Sequence, residues 1–469
     1  MTKFDLTRPQ QESLIQQTLA ALMDWYENGD QAPVGTLWSN AQVQQKVKAL
    51  TYEKPASAIE ATQTLIQQLK DFTVHTTNSN YFGLFNPRAN FPSILADIIT
   101  AFFNPQLAAW SHAPYAAEIE RNLILQCCTR FGYATGQQDG TFTSGGAESN
   151  MTAIICALHH HFPNYGEEGL FAVKQRPVIY CSDESHHSLL KAARSLGLGS
   201  QVLQTIPCDN QERMDMEQLE RHLRADKKAG KLPLMIVGTA GTTGSGAIDD
   251  LNAIATISRR YNCWFHVDAA YGGALMLSSQ HRKHLAGIEK SDSITMDIHK
   301  WFSVPMGISL FLTSNSNILH HAFDVSTAYM PEKGQAKKEI DPYVHSLQWS
   351  RRFMGLKMHL PLLLFGWKGY GEVIDHQVAQ GQLLREELVT AGWEIKNHSH
   401  LPILCFSHPS LASHPGRVQQ IVDQVVKQGK AWLSTYPIKE QACFRACITN
   451  YNTGPAEVKN LVDLLSSYL

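Results

Sequence analysis

Lys300 and Asp268 are the side chains of this sequence whose chemistry is most specific. Lys300 closes the segment SITMDIHK and is followed by Trp301, at the end of a short β-branched apolar run. Asp268 ends a second such run in CWFHVDAAYGG, Cys263–Gly273, 32 residues earlier. Both runs have the length and residue types of buried strands, so each side chain is expected at a strand end. An amine and a carboxylate so placed suit one kind of chemistry. The amine can form an imine with a bound aldehyde, and the carboxylate can keep a pyridine nitrogen protonated so that the ring accepts electrons.

Three further segments fit that chemistry. TSGGAESN, Thr143–Asn150, is a Gly-Gly turn entering a helix, where free N–H groups and the positive dipole end suit a phosphate. SDESHHSLLKAA, Ser182–Ala193, puts His186 at the mouth of a strand-to-helix turn, from which an imidazole could stack on a ring and relay a proton. GTAGTTGSGAIDD, Gly238–Asp250, could bring Thr243 close to a ring, with Asp249 or Asp250 capping the next helix. Each pattern also occurs in plain turns, and with 21 histidines in the chain no single one carries weight. His159–His161 has no acidic partner at ligand spacing, so it reads as a polar helix end and no metal site is expected.

The elements that must position these residues alternate from about Glu118 to Ser314. Helices EIERNLILQCCTRFGY, AESNMTAIICALHHH, HSLLKAARSLG and DLNAIATISRRY interleave with strands PVIYCS, QVLQTIP, LMIVGTAGTT, CWFHVDAA, SITMDI and ISLFLT. That alternation predicts an α/β fold with a mainly parallel sheet covered by helices. Residues 1–78 read as a helical arm, with helical spacing over Ser13–Tyr26 and Ala58–Phe72; 79–352 as the large domain; and 353–469 as a smaller α+β domain. The last of these starts with a helix over Phe353–Gly369 and has later helices opening at Pro415 and Pro455.

Composition sets outer bounds. Lys+Arg 40 against Asp+Glu 42 gives a net charge of −2, with no basic excess for nucleic acid and no acidic tail. Nine cysteines without a CxxC pair are expected to be reduced thiols of a cytoplasmic protein. The start, MTKFDLTRPQQESLIQQ, resembles neither a signal peptide nor an anchor, and no apolar run approaches a bilayer span, so no membrane partner is expected.

Taken in order, SGGAESN, SDESHHS, GTAGTTG, HVDAAYGG and DIHKW resemble the group II pyridoxal-phosphate-dependent amino-acid decarboxylases, which include aromatic-amino-acid, glutamate and cysteine-sulfinate decarboxylases. The resemblance runs from about residue 80 to the C-terminus. It implies a fold-type-I pyridoxal phosphate (PLP) transferase fold with a large, mainly parallel, seven-stranded-type sheet. It also implies a homodimer with the active site between subunits and loss of CO2 from an L-amino acid. Carried over by position, Lys300 would bind the cofactor aldehyde, Asp268 would pair with the ring nitrogen, and His186 would stack on the ring. Gly146 and Ala147 would offer N–H groups to the phosphate, with His299 nearby; Ala270 and Thr243 would lie against the cofactor. Tyr329 would protonate the intermediate from a mobile loop, consistent with the Lys, Glu, Gly and Pro of Met330–Asp341. Arg445 would hold the substrate α-carboxylate. The rivals are another fold-type-I enzyme, an aminotransferase or carbon–carbon lyase, and a silent PLP-fold scaffold.

Two departures bear on specificity. Where the aromatic-amino-acid decarboxylases line the pocket with aromatic and aliphatic residues, this chain has Phe85, Asn86, Pro87, Arg88, Gln106 and Ala108. A smaller or more polar substrate is therefore expected, with Arg88 either its side-chain partner or an ion-pair residue. Asp297-Ile298 stands where many relatives carry Asn-Pro; a carboxylate facing the phosphate would repel it, so Asp297 is expected to bond elsewhere.

Overall fold

The computed structural model describes residues 5–325 and 339–469, which fall into two units. One comprises Met1–Arg88, Leu383–Ile395 and Phe406–Leu469; the other comprises Ala89–Gln382 and Lys396–Cys405.

The second unit is built on a seven-stranded sheet. In chain order its strands are β1 (Asp139–Thr143), β2 (Pro177–Ser182), β3 (Leu203–Ile206), β4 (Leu232–Thr239), β5 (Trp264–Asp268), β6 (Ser293–Met296) and β7 (Ser309–Thr313). Their spatial order is β1-β7-β6-β5-β4-β2-β3. Neighbours from β6 to β3 run parallel, while β7 is antiparallel to both β1 and β6. Every residue of β5, β6 and β7 is buried, as expected of strands covered on both faces. On β4, a Cβ at Gly238 would come within 3.0 Å of Leu251 and Ile254, so the helix Leu251–Tyr261 packs directly on the strand backbone there.

The register levels the functional end of the sheet. Thr239 pairs with Asp268, and Asp268 with Thr295, so β4, β5 and β6 finish side by side. Thr143 pairs with Ser309, which brings the end of β1 and the start of β7 to that edge too. Ligands of open α/β sheets bind beyond such carboxyl ends.

Two elements of this unit are silent in the apolar pattern. β1, DGTFT, is short, largely polar and paired only with β7 among the described residues. The helix Met216–Lys228 is dominated by charge, and buries Leu219 and Leu223 on one side. The helix expected over Phe353–Gly369 runs from Leu356 to Thr390, with a kink at Gly366 (φ +64°). After the kink helical spacing resumes, burying Ile374, Gln377, Leu384 and Leu388. The division between units falls inside this helix, after Gln382, and after Arg88 in the N-terminal part.

The first unit holds the helices Arg8–Asn28, Asn40–Lys48 and Ala58–Asp71 and most of a four-stranded sheet, to which Ser434–Ile438 and Gln441–Cys447 contribute an antiparallel pair. Helices Pro415–Lys427 and Pro455–Ser466 open at the expected prolines. Among the described residues no helix is long and apolar enough to cross a membrane.

Candidate active site at the carboxyl ends of the sheet

Asp268 is buried at the end of β5 and receives two hydrogen bonds: Asn150 Nδ2 donates to Oδ2 at 2.8 Å and the Ala270 N–H donates to Oδ1 at 3.1 Å. Behind it lies a fully buried chain of polar groups. Trp264 Nε1 donates to Ser293 Oγ (2.8 Å), which lies 2.8 Å from His266 Nδ1; His266 Nε2 lies 3.0 Å from Asn150 Oδ1. A carboxylate can only accept and a neutral imidazole carries one proton, and from the Asp268 end those two facts fix every direction back to Ser293. Ser293 therefore donates to His266 Nδ1, and His266 carries its proton on Nε2. Asn150 is thereby oriented with its amide nitrogen towards Asp268, and Thr295 Oγ1 donates to the same Asn150 oxygen at 2.8 Å. Burial pushes the His266 pKa down to about 4, so the ring is neutral and the chain keeps this polarity.

Lys300 sits in the turn after β6. The Asp297 N–H donates to Ala270 O, tying this turn to the one after β5, and the His299 N–H donates to Ile308 O. Lys300 Nζ lies 2.8 Å from Asp297 Oδ2, and His299 Nε2 lies 3.8 Å from the same oxygen. His299 Nδ1 accepts from the Ile308 N–H at 3.2 Å, which puts its proton on Nε2.

The helix Gly146–His161 starts beside that turn. The Glu148 and Ser149 N–H groups bond Gly145 O. Those of Gly146 and Ala147, the first in the helix, have no carbonyl a turn earlier to bond. Thr143 Oγ1, 2.6 Å from Ser149 Oγ, braces the entry. A Cβ on Gly146 would meet both Asp297 oxygens at 3.0 Å, and one on Gly145 would come 3.6 Å from His299 Cε1. The turn is thus narrow on the Asp297 side, and Ala147 is exposed.

His186 follows β2. Its Nδ1 accepts from the Ser188 N–H at 3.2 Å, leaving Nε2 to carry the proton. Partial desolvation lowers its pKa; Asp268 and Asp297 act to raise it, Lys300 and His187 to lower it further. The ring remains accessible to solvent yet feels all three charges of the site. Thr243 is exposed on its turn, while the adjacent Thr242 is buried and accepts from the Ala247 N–H. Asp250 caps the helix Leu251–Tyr261, whereas Asp249 accepts from the Met214 and Thr239 N–H groups and fastens the end of β4.

The sheet unit therefore brings together Lys300, Asp268, His186, His299, Gly146, Ala147 and Ala270. Arg445, Phe85 and Arg88 belong to the first unit. There the Arg445 guanidinium is buried, donates from Nη1 to Gly83 O at 2.9 Å and lies 5.4 Å from the Phe85 ring centre. Arg88 is buried too: Nη2 donates to Tyr26 O, Nη1 is 3.8 Å from Asp30 Oδ1, and the guanidinium stacks 4.2 Å from the Tyr26 ring centre. Tyr329 lies outside the described residues, as does most of the segment after it.

The donor set suits a phosphorylated pyridine aldehyde. It has an amine for the aldehyde, a buried carboxylate held ready for a ring nitrogen, and unpaired helix N–H groups for the phosphate. Asp297, expected to bond elsewhere than to a phosphate, is engaged by Lys300 Nζ at 2.8 Å, on the side of the turn where a Cβ on Gly146 would meet its oxygens. Asn150, His266, Ser293 and Thr295 have no assigned role in the motifs, although the clue is present. Trp264, His266 and Asp268 alternate along β5, as Ser293 and Thr295 do along β6, so each set of polar groups shares one face of a strand with no exposed residue.

Residues 42–408 match the model of the pyridoxal-dependent decarboxylase conserved domain. An aromatic-L-amino-acid decarboxylase of Bacillus atrophaeus is 26% identical over 464 residues, 97% of this chain and 95% of that protein. An L-2,4-diaminobutyrate decarboxylase of Acinetobacter baumannii is 29% identical, over 78% of this chain and 74% of its own. An acidic amino acid decarboxylase of Mus musculus is also 29% identical, over 74% and 64%. The crystal structure of mouse CSAD superposes with a TM-score of 0.92 at 25% identity, covering 99% of both chains.

Proposed function

The chain belongs to the pyridoxal-dependent decarboxylase family and is a PLP-dependent amino-acid decarboxylase; we propose that its substrate is an L-amino acid with a small polar or charged side chain. Support for that side chain comes from Asn86 and Gln106, where an aromatic-specific pocket would carry apolar residues, and from similarity to diaminobutyrate and acidic amino acid decarboxylases.

Bound at the sheet edge, PLP supplies an aldehyde that captures amines and a ring that takes up the electron pair left when CO2 departs. The observation that carries the assignment is Asp268, held by Asn150 and Ala270 level with the turn that bears Lys300. Lys300 would hold the cofactor, and Asp268 would keep the ring nitrogen protonated, so the electron sink stays open. The N–H groups of Gly146 and Ala147 would hold the phosphate, with His299 beside them and Thr243 and Ala270 against the ring. His186, protonated on Nε2, would cover the ring face. Arg445 would hold the α-carboxylate with its scissile bond perpendicular to the ring, beside Phe85, and Tyr329 would return the proton to Cα. We assign Arg88 to the packing of the first unit, where Tyr26 and Asp30 engage it.

The working form we propose is a homodimer with its active site at the subunit interface. Its support is the stripe Phe91, Leu95, Ile98 and Phe102 on the helix Phe91–Phe103, all exposed in the single chain and spaced to share one face. A cytoplasmic location is supported by nine free cysteines, eight of them buried. The test is a panel of aromatic, acidic and basic L-amino acids offered to the PLP-loaded protein, with CO2 and amine followed together. Stoichiometric release from a diamino or acidic member is expected. Release from aromatic members alone would overturn the substrate class, and keto acid without CO2 the reaction.

A further inference from the structure

The turn that carries Lys300 holds a second charge with no role in the mechanism above. Asp297 is 4% exposed, its Oδ2 lies 2.8 Å from Lys300 Nζ, and its Oδ1 is buried without a hydrogen-bond partner. The family resemblance leads one to expect a neutral asparagine here; this chain places a carboxylate on the reacting nitrogen. Burial alone would push the Asp297 pKa up, but the charge of Lys300, with His299 beside it and hydrogen bonds from Lys300 and Ser309, outweighs it and holds the group below the ordinary carboxylate range. The other groups facing it are His186 from the turn after β2, the Ser309 hydroxyl from β7 and the N-terminal end of the helix Gly146–His161. Lys357 acts on the site through His299.

We propose that Asp297 is a catalytic residue: a fixed counter-ion that keeps a proton on the Lys300 nitrogen, both while that nitrogen holds the cofactor and after substrate has displaced it. The inference rests on the PLP-dependent reading above. An anion in contact with a nitrogen in a low-dielectric site favours its protonated form. A protonated nitrogen makes the attached carbon more open to attack by the substrate amine. Once released, a lysine held as ammonium has no lone pair with which to take the proton from Cα. Asp297 thus bears on which bond at Cα is broken as well as on how fast substrate enters.

The experiment is a pH titration of the visible absorbance of the full-length PLP-loaded protein, unaltered and as Asp297→Asn. The substitution preserves shape and removes the charge. The spectral midpoint is expected to fall by about one unit or more, with the melting temperature nearly unchanged. Asp297→Glu, which keeps the charge, should leave the midpoint close to that of the unaltered protein. Asp297→Ser gives the same neutral comparison if Asp297→Asn does not fold. An unmoved or raised midpoint in the neutral variants would overturn the assignment while leaving the PLP reading intact. No visible band from the unaltered protein, and no attachment to Lys300 on borohydride reduction, would overturn both.

Discussion

Asp268 and Arg88 are both buried charges, and they are buried differently. Asp268 is held by two neutral donors, the Asn150 amide and the Ala270 N–H, backed by a directed chain of hydrogen bonds. Arg88 is engaged by a carbonyl, an aromatic face and a carboxylate within its own unit, and only Nε lacks an acceptor. Neutral donors orient a charge without neutralising it, so the charge remains to be matched by a bound partner. An opposite charge and a ring complete it. Burial alone therefore separates neither functional nor structural charges; the kind of neighbour does.

The largest effects should come from the Asp268 side of this comparison. Lys300→Ala is expected to abolish turnover and borohydride attachment of the cofactor. Asp268→Asn keeps the shape but removes the negative charge that holds a proton on the ring. It should lower kcat on the order of a thousandfold, with the protein still folded by circular dichroism. A loss of tenfold or less would mean that the ring is protonated by some other group. Tyr329→Phe should come next, with roughly a hundredfold loss of amine formation, read in the CO2 and amine assay.

The difference between these two charges was only partly legible in the sequence. The lysine, the aspartate and the Gly-Gly turn are readable because their chemistry demands particular residue types in family order. The strands around them are readable because burial on both faces leaves near-continuous apolar runs. The partners of Arg88 were not: Tyr26 and Asp30 stand about sixty residues away, on and just after a helix that shows in sequence as an amphipathic arm. Asn150 was half legible. It sits inside TSGGAESN, yet its task appears only when β5 and β6 bring His266 and Thr295 against it.

The network behind Asp268 should show in stability and its pH dependence. His266 is neutral in the folded chain, with a pKa of about 4 against an ordinary 6.5. Between those values the unfolded chain binds a proton that the folded chain refuses, so stability falls as pH drops from 6.5 towards 4. The contribution present above pH 6.5 is roughly 3 kcal/mol. His266→Leu should remove that part of the acid sensitivity. It should also cost about 2 kcal/mol at pH 7.5, because Asn150 Oδ1 and Ser293 lose a buried partner. Chemical denaturation of both forms at pH 7.5 and 5 measures the two effects together. An unchanged difference between the two pH values in His266→Leu would show that other groups set the acid limb.

Arg88→Ala sharpens the comparison from the other side. Truncating a guanidinium stacked on Tyr26 and near Asp30 should cost about 1 to 3 kcal/mol of stability, mostly through lost packing and an uncompensated acceptor. Asp30 is only partly buried, so water relieves part of that cost. On catalysis the expected effect is small and even-handed: KM for acidic and neutral amino acids should change by the same factor, because Tyr26 and Asp30 already engage the charge removed. A KM that rises for acidic substrates alone would place the Arg88 charge in the pocket after all. Arg88→Lys separates the possibilities further. Lysine keeps the charge but cannot reproduce the planar stack, so it should restore little of the stability if the packing role holds.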